Sequence, residues 1–537
     1  MKLLLMLLRS SWLNGLLSAV LGAVSGLASL SLITLIHSAL SQPQAGSYAA
    51  AGLFSILCLV VLATQVGSKC LLVRLSQSTS ARLRLELCKR IITAPLASLE
   101  AVGRHRLLTT LVGDVTSIVQ ALAGVPNVCA KAMVLAAGIG YLATLSMLLA
   151  VCTVAVAGLG VVSYLAGNRL ANRYLCQARE DQDELFKQLR AMIQGIKELQ
   201  GNQRRQDEFV NQVLLTAETT MRRNTVIGQS IQGFAQSWGR LMVFIGIGLL
   251  LFVSPQLQTV DAATLTGFTL TILYLTFPLE GIVGWLPSLN RATIALNKID
   301  SLGLLIKSDR PVQSDLVRPA FRKIELRNVV YQYGTSDCDG FSLGPLNLTV
   351  KSREVLFIAG GNGSGKTTLA KLLTGLYSPA EGSIALNGTV INDDDRVGYR
   401  QLFSTVFVEG ILFDRLLGVD AELDEVASWC KLLGIGSKVD LQTGKLVTDE
   451  LSRGQQKRIA LLVDCLDDSP IFVFDEWAAE QEPDFKDVFY RQILPELKRR
   501  GRTVVAITHD DRYFFAADRV LTLFNGGIAS VVGRNAA

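Results

Sequence analysis

One segment of the sequence has the composition and spacing of a phosphate-binding loop. Residues 360–367 read Gly-Gly-Asn-Gly-Ser-Gly-Lys-Thr and lie between an apolar run of strand type, 354–359, and an apolar helical pattern. Glycines let backbone N–H groups converge on phosphate oxygens, and the N-terminus of the following helix adds a partial positive charge. In this pattern Lys366 reaches the β- and γ-phosphates and Thr367 holds Mg²⁺. The segment therefore predicts a nucleoside triphosphate site, with ATP and Mg²⁺ as its ligands.

Two further strand ends supply groups for acid–base chemistry. The apolar strand 471–474 is followed by Asp475 and Glu476. Asp475 would bind Mg²⁺, directly or through water, and Glu476 would act as general base on the attacking water. The strand 503–507 is followed by Thr508 and His509, and His509 is well placed to contact the γ-phosphate. We therefore assign Glu476 and His509 as the candidate catalytic residues.

The composition shows that much of the chain is not soluble. The 537 residues are 50% hydrophobic and 18% charged, with a mean hydropathy of +0.36, whereas soluble domains carry about 25% charged residues. No Asp, Glu, Lys or Arg occurs between Arg9 and Lys69, which leaves room for two membrane helices of about 20 residues each. A wholly soluble chain, a fibrous chain and a disordered chain are excluded. The nine cysteines have no CxxC or zinc-type spacing and are interpreted as small hydrophobes.

We predict a multidomain chain in which a membrane domain precedes a nucleotide-binding domain. A six-helix α-helical transmembrane domain covers residues 1–291, a linker covers 292–320, and an α/β P-loop nucleotide-binding domain covers 321–537. The predicted spans lie near 12–38, 49–68, 118–145, 149–168, 237–255 and 262–285. Lys and Arg are concentrated after the second and fourth spans and are absent from the connections near 39–48, 145–149 and 256–261. By the positive-inside rule, the basic segments and both termini are cytoplasmic.

Three charged residues lie inside the predicted spans. Lys131 is in span three, Arg240 in span five and Glu280 in span six, all in the cytoplasmic half of the bilayer. Because charges are costly in lipid, the three could face a shared inward cavity, where Arg240 and Glu280 could pair. Lys131 and Arg240 could instead extend to the lipid headgroups. For Glu280, which follows Pro278 and has a short side chain, we favour the cavity.

Together these features resemble an ABC transporter, and the resemblance covers the whole chain, as in exporter half-transporters. Residues 451–455, Leu-Ser-Arg-Gly-Gln, match the signature of that family, with Arg453 where Gly is usual. The resemblance implies a homodimer that holds two ATP molecules, each bound also by the opposite subunit's Ser452, Gly454 and Gln455. It also implies that an aromatic side chain stacks on adenine. The residues thereby assigned to ATP binding are Tyr333, Gly360, Asn362, Gly363, Ser364, Gly365, Lys366, Thr367, Thr368 and Asp475.

Two positions depart from the pattern of the family. The Q-loop glutamine should fall near residue 408, where this chain has Val408 followed by Glu409. Val408 cannot coordinate Mg²⁺ or water, and Glu409 could substitute for the glutamine. The D-loop aspartate is replaced by Glu482. Hydrolysis could therefore be slower or coupled differently, but the remaining groups still predict an active ATPase.

Further sequence variants narrow the resemblance to bacterial cyclic-peptide and siderophore-peptide exporters, a subfamily that includes microcin and pyoverdine-precursor exporters. These variants occur at 196–199, 281–287, 456–458, 477–483 and 508–511. They imply ATP-driven export of a cyclic or modified peptide, such as a siderophore precursor or antimicrobial peptide, across the bacterial inner membrane. A lipid flippase of the same architecture and a non-transporting membrane ATPase that senses or regulates remain the alternatives. No nucleic acid partner is expected, because the positive charges do not form one block.

Motion at the nucleotide must reach the spans through cytoplasmic segments. The candidates are 96–108, which follows Pro95, and 191–203, which contains Gly195 and Gly201. Both lie at the tips of basic helical hairpins, where exporters of this type have their coupling helices. The alternative is that both are ordinary helical turns.

Overall fold

The structure, a computed structural model, forms two compact units. It describes residues 2–41, 48–253, 256, 261–301, 318–333, 341–408, 410–418, 422–436, 439–440, 445–446 and 451–533. One unit comprises Met1–Ile92 and Arg104–Ser308, and the other comprises Thr93–Gly103 and Asp309–Ala537. The short segment Thr93–Gly103 therefore groups with the C-terminal unit, although it follows the second long helix in sequence.

Six long helices form the described part of the N-terminal unit. They are α1 (Lys2–Ser41), α2 (Tyr48–Thr93), α5 (Val115–Leu145), α6 (Met147–Gln194), α9 (Leu215–Gly248) and α10 (Ala262–Ser301). Short helices connect them: α3 (Leu96–Val102) and α4 (Arg104–Thr109) follow α2, whereas α7 (Ile196–Gln200) and α8 (Gln203–Glu208) follow α6. Single π-helical turns are present at Thr110–Asp114, Phe209–Leu214 and Leu249–Val253.

All six long helices are long and apolar enough to cross a bilayer, which confirms the six-helix prediction. Large side chains such as Ile56, Leu59 and Leu62 of α2 are about 60% exposed in the isolated chain, as expected of surfaces that contact lipid. Several helices continue far beyond the predicted spans. At 1.5 Å per residue, the 48 residues of α6 greatly exceed the ~30 Å hydrocarbon core, so the charged second half of α6 extends into water.

The core of the N-terminal unit lies where α5 and α10 pack together. Val134 and Leu142 of α5 contact Phe268, Ile272 and Leu275 of α10 in one apolar cluster. Buried side chains of α10 continue beyond residue 291, the predicted end of the membrane domain. Ala292, Ala295 and Ile299 are buried, and α10 continues to Ser301. Helix α10 therefore continues into the segment predicted as linker, 292–320, because an apolar helical face persists after Arg291. Residues 302–317 of that predicted linker lie outside the described residues.

The C-terminal unit is an α/β domain built on two larger sheets. An antiparallel sheet has the order β2 (Ser342–Lys351), β1 (Lys323–Gln332), β4 (Glu381–Leu386) and β5 (Thr389–Val390). A mainly parallel sheet has the order β12 (Gly527–Gly533), β11 (Arg519–Phe524), β3 (Val355–Gly360), β10 (Thr503–Ile507), β9 (Ile471–Asp475) and β6 (Phe403–Val406). Two-residue strands β7 (Val439–Asp440) and β8 (Lys445–Leu446) form a small ribbon.

Helices cover both faces of the parallel sheet. They are α11 (Lys366–Leu373), α12 (Arg396–Arg400), α13 (Leu423–Leu432), α14 (Arg453–Cys465), α15 (Pro483–Val488) and α16 (Leu494–Arg499). The central strands are buried on both faces, as their continuous apolar sequences predict. Because β3, β10 and β9 are adjacent and parallel, their carboxyl ends meet at one edge of the sheet. The phosphate loop, Asp475 and Thr508 are thereby brought together.

Candidate functional site: a nucleotide site at the carboxyl edge of the parallel sheet

The phosphate loop connects β3 to α11. Gly363 and Gly365 have φ values of +77° and +97°, in the left-handed region that glycine adopts without strain. Lys366 begins α11 and is only 6% exposed. Its Nζ donates hydrogen bonds to the carbonyl oxygens of Gly360, at 3.1 Å, and Gly361, at 3.0 Å. The ammonium group is thus held over the loop at the N-terminus of α11.

Ser364 supplies a second polar group in this loop. Its side chain is buried, and its Oγ has no hydrogen-bond partner among the described residues. A buried hydroxyl without a partner is costly unless a ligand satisfies it. Together with Lys366 and the N-terminus of α11, it forms a site suited to an anion with several oxygens. This geometry fits a triphosphate.

Thr367 and Asp475 form a pair of oxygen donors suited to Mg²⁺. The Thr367 hydroxyl lies 3.1 Å and 3.3 Å from the two carboxylate oxygens of Asp475. Burial raises the pKa of the Asp475 carboxyl, the bond from Thr367 opposes this rise, and the nearby charge of Glu476 adds to it. Because burial disfavours the charged form of this carboxyl, a bound cation would stabilise that form. A hydroxyl and a carboxylate are also hard oxygen ligands of the type that Mg²⁺ prefers, so these residues fit the ion.

Glu476 and His509 are in direct contact. His509 Nε2 lies 2.7 Å from Glu476 Oε1, and Lys366 Nζ lies 3.6 Å from the same oxygen. Glu476 has a φ of +47°, a left-handed conformation that costs energy for a residue with a side chain and is common at functional sites. The turn after β9 therefore directs this carboxylate toward Lys366 and His509.

Tyr333 lies just after β1 and is 43% exposed. Its hydroxyl lies 3.1 Å from Thr368 Oγ1 on α11. Its ring makes an edge contact with Tyr331, with 5.1 Å between the ring centroids. The structure thus brings Tyr333 close to the helix of the phosphate loop, as a role in nucleotide binding would need.

The signature residues form the N-terminus of α14. The Ser452 hydroxyl accepts a hydrogen bond from the Gln455 backbone N–H at 3.2 Å, and the Ser452 N–H donates to Gln455 Oε1 at 3.0 Å. This reciprocal capping box fixes the start of the helix. Ser452, Arg453 and Gln455 are otherwise at or near the surface, which is the arrangement expected if they contact a nucleotide on another subunit.

Three residues to which the sequence analysis gave no structural role connect the signature helix to the catalytic turn. Trp477 Nε1 donates to the Lys457 carbonyl at 2.8 Å, Lys457 Nζ lies 3.5 Å from the Glu476 carbonyl, and Gln481 Nε2 donates to the Gly454 carbonyl at 3.2 Å. The turn that contains Glu476 is therefore held against the helix that begins with the signature. The unusual Trp477 and Gln481 after the Asp-Glu pair were the only sequence signal for this contact.

Two positions depart from the family pattern, at residues 408–409 and at residue 482. Val408 is 43% exposed after β6, and Glu409 lies outside the described residues. Glu482 is exposed and precedes Pro483 at the start of α15. The proposed substitution of Glu409 for the Q-loop glutamine therefore stays a prediction.

A half-buried acid links the signature helix to the strand before residue 408. Asp464 of α14 accepts a hydrogen bond from the Ser404 hydroxyl of β6. Burial raises the pKa of the Asp464 carboxyl to about 6; the Ser404 bond opposes this rise and the charge of Asp467 adds to it. The folded domain therefore holds this proton more tightly than the unfolded chain does, where an Asp has a pKa of about 3.9.

We expect Asp464→Asn to stabilise the ATP-binding domain near neutral pH. The Asp464 contribution to stability is fully present below pH 4 and is lost as pH rises through 6, because the charged form is disfavoured in the fold. At pH 7.5 the variant should be more stable by about 1–3 kcal/mol, and the difference should vanish near pH 4. Hydrogen exchange of β9 and β10 amides in the full-length protein measures this. Asp424→Asn, at an exposed position of α13, is the control, and identical pH profiles for Asp464→Asn and wild type would refute the assignment.

The membrane unit contains a cavity that includes two of the three predicted charged residues. Arg240 Nε lies 2.8 Å from Glu280 Oε1, so the predicted pair is present. Both residues line a cavity of about 230 Å³ between α6, α9 and α10. Lys131 is not among its lining residues. It packs on another face of α10, where a Cβ added at Gly281 would meet its ammonium group. The structure therefore does not bring all three charges into one cavity.

Comparisons with known proteins agree with this architecture. The family model of the ABC transporter transmembrane region matches residues 11–279, and that of the ABC transporter matches residues 343–479. The chain is 34% identical over 528 residues to ATP-binding protein SyrD of Pseudomonas syringae pv. syringae, covering 95% of this chain and 93% of that protein. It therefore belongs to the ABC transporter family.

More distant relatives share the order of the transmembrane and nucleotide-binding domains in this chain. A solved bacterial Atm1-family ABC exporter with ATP bound has a TM-score of 0.73 at 17% identity, covering 98% of this chain and 96% of that chain. An ATP-dependent lipid A-core flippase of Burkholderia thailandensis is 24% identical, covering 86% and 80%. The lactococcin-A transport/processing ATP-binding protein LcnC of Lactococcus lactis subsp. lactis is 26% identical, covering 56% and 43%. The protein is an exporter-type half-transporter that couples ATP hydrolysis to transport, and this architecture implies that it acts as a dimer in a membrane.

Proposed function

We propose that this transporter is a homodimer of the bacterial inner membrane that exports a cyclic or otherwise modified peptide, such as a siderophore precursor or antimicrobial peptide. Both termini would be cytoplasmic, because the Lys- and Arg-rich extensions of the spans are on that side. The observation that carries the peptide assignment is the similarity to a transporter whose name specifies lactococcin-A. The subfamily variants of the motifs support it.

The nucleotide site has the residues for a complete hydrolytic cycle. Lys366, Ser364 and the N-terminus of α11 would bind the triphosphate, and Tyr333 would stack on adenine. Thr367 and Asp475 would hold Mg²⁺, which neutralises charge on the β- and γ-phosphates when bound. Glu476 would accept a proton from the attacking water, and His509 would orient Glu476 and contact the γ-phosphate.

The partner subunit would complete each site. Because α14 begins with a capping box at the surface, its N-terminus can face a phosphate of the opposite subunit's ATP. Gln481 ties Gly454 to the segment after Glu476. Closure of the two subunits would thus act on the signature helix and on the catalytic turn together, and hydrolysis would reopen the dimer.

The cavity between α6, α9 and α10 is the candidate cargo site. Its wall is mainly apolar, with Val156, Val161, Met242 and Leu279 beside the Arg240–Glu280 pair. An apolar wall with one ion pair suits an amphiphile that carries both apolar and charged groups. A modified peptide has this character.

A lipid flippase is the second candidate function. The relatives named as lipid A-core flippases favour it, although they are less similar to this chain than SyrD is. A lipid amphiphile would also suit an apolar cavity with charged groups. Stimulation of ATP hydrolysis by peptide fractions of the host, compared with stimulation by its lipids, separates the two candidates.

The proposed function predicts that one peptide depends on this transporter for its release. We expect one secreted peptide to disappear from the medium and to accumulate in the cytosol when Glu476→Gln replaces the wild type in the native host, measured by mass spectrometry of both fractions. The double variant Arg240→Glu/Glu280→Arg keeps the pair but reverses its polarity. If the charges contact the peptide, this variant should export it at about a tenth of the wild-type rate or less. Unchanged peptide profiles combined with altered membrane lipid asymmetry would refute peptide export and support the flippase.

A further inference from the structure

Helix α3 carries a carboxylate that contacts two side chains next to the nucleotide site. Glu100 Oε1 accepts a hydrogen bond from Lys371 Nζ at 2.9 Å, and Glu100 Oε2 accepts one from the Tyr377 hydroxyl. Leu96 and Ala97 of the same helix pack against the apolar core of the C-terminal unit. Polar and apolar contacts therefore both hold α3, which connects the second and third candidate spans in sequence.

Tyr377 is the buried centre of these contacts. It is 1% exposed, and its hydroxyl also accepts a hydrogen bond from Lys371 Nζ at 3.2 Å. Burial and the bond to Glu100 raise the pKa of the Tyr377 hydroxyl, so it stays protonated and donates to Glu100 at physiological pH. Because the ring is enclosed, it cannot move without moving its neighbours.

Ring contacts connect Tyr377 to Tyr333 through Tyr331. It stacks on Tyr331, with 4.7 Å between ring centroids and an interplanar angle of 12°. Tyr331 makes an edge contact with Tyr333, whose hydroxyl lies 3.1 Å from Thr368. A continuous series of side chains therefore runs from the exposed ring of Tyr333 to Glu100 on α3.

We propose that Tyr377 and Glu100 are positioning residues that link the adenine pocket to α3. A base stacked on Tyr333 restricts that ring, and the ring contacts restrict Tyr331 and Tyr377 in turn. The Tyr377 hydroxyl is then held in line with the Glu100 carboxylate. This inference rests on the proposed stacking of adenine on Tyr333.

The link responds to the base and not to the γ-phosphate. The hydrogen bonds and ring contacts described above do not include Glu476, His509 or the signature helix, which respond to hydrolysis and to dimer closure. ADP and ATP should therefore hold α3 equally, and a triphosphate without a base should not. A firmly held α3 would persist after phosphate release, until the base itself leaves.

Hydrogen exchange of the α3 amides tests this link in the full-length protein in lipid nanodiscs. The three probes are MgADP, a nonhydrolysable ATP analogue with Mg²⁺, and inorganic tripolyphosphate. We expect both nucleotides to slow exchange by about threefold or more, the scale of one aromatic contact, and tripolyphosphate to have no effect. Tyr377→Phe keeps the stacked ring and the Lys371–Glu100 pair but should abolish the slowing. Tyr513→Phe, which removes a tyrosine hydroxyl elsewhere in the domain, should retain it.

Further variants distinguish failure of the link between Tyr377 and Glu100 from failure of the proposed stacking of adenine on Tyr333. If Tyr333→Leu leaves the affinity for ADP unchanged, adenine does not stack there, and the proposed role of Tyr333 fails. If Tyr333→Leu weakens ADP binding but Tyr377→Phe retains nucleotide-dependent slowing in α3, only the link fails. The link would also be overturned if exchange in α3 slowed with the ATP analogue but not with ADP. It would equally be overturned if tripolyphosphate alone slowed that exchange. Glu100→Leu, which has a side chain of similar bulk but no hydrogen-bond acceptor, should match Tyr377→Phe.

Discussion

Glu476→Gln is expected to reduce ATP turnover by about 100-fold or more while ATP remains bound. The Glu476 carboxylate lies 2.7 Å from His509 Nε2 and 3.6 Å from Lys366 Nζ, at the edge where the three strands end. Glutamine has the same size and keeps an oxygen for these contacts, but it cannot accept a proton from water. The loss should therefore fall on the chemical step, seen as slow phosphate release with an unchanged Kd for ATP.

Glu381→Gln is the matched control for this prediction. It makes the same change from carboxylate to amide at the exposed start of β4, outside the nucleotide site. Its turnover should equal that of wild type. If Glu476→Gln also hydrolyses ATP at close to the wild-type rate, another group acts as the base, and the assignment of Glu476 is wrong.

Lys366→Met is expected to weaken ATP binding by about 30-fold or more. Methionine preserves much of the apolar stem in this nearly buried position but removes the ammonium group. A hydrogen bond to a charged group contributes about 1.5–3 kcal/mol, and the triphosphate would lose such bonds at Lys366. Equilibrium binding of ATP to the full-length protein measures the change directly.

Lys431→Met provides the comparison, because Lys431 is an exposed lysine on α13. Its affinity for ATP should match that of wild type, which separates a local effect from a general change in positive charge. An unchanged affinity in Lys366→Met would mean that the loop backbone alone binds the triphosphate. The lysine would then have only the structural role of bonding Gly360 and Gly361.

The sequence was sufficient to predict the parts of the site that depend on local spacing. The glycines of the phosphate loop, Lys366 and Thr367 lie on consecutive positions of one strand–loop–helix unit, so their geometry follows from their order. Asp475, Glu476 and His509 were predictable because each follows an apolar strand, and parallel strands end at a common edge. The six long helices followed equally from uninterrupted apolar composition.

Contacts between distant segments could not be predicted in the same way. The bonds from Trp477 to Lys457 and from Gln481 to Gly454 depend on how α14 packs beside the catalytic turn. The contact of Glu100 with Tyr377 joins segments far apart in sequence, and nothing in the sequence of 96–102 identifies Tyr377 as the partner of Glu100. The sequence also could not predict which side of its helix Lys131 faces, because a helix that is apolar on all sides has no periodic pattern that identifies one face.

The pairing of Arg240 with Glu280 has an electrical consequence for the transport cycle. An isolated elementary charge that crosses the membrane potential gains or loses about 2.3 kcal/mol per 100 mV. Two opposite charges held 2.8 Å apart form a small dipole, so moving them together through the bilayer field involves almost no net work. Voltage therefore exerts little force on this part of the cavity. A dependence of the export rate on membrane potential would report charge carried by the cargo, or by Lys131, and not charge carried by this pair.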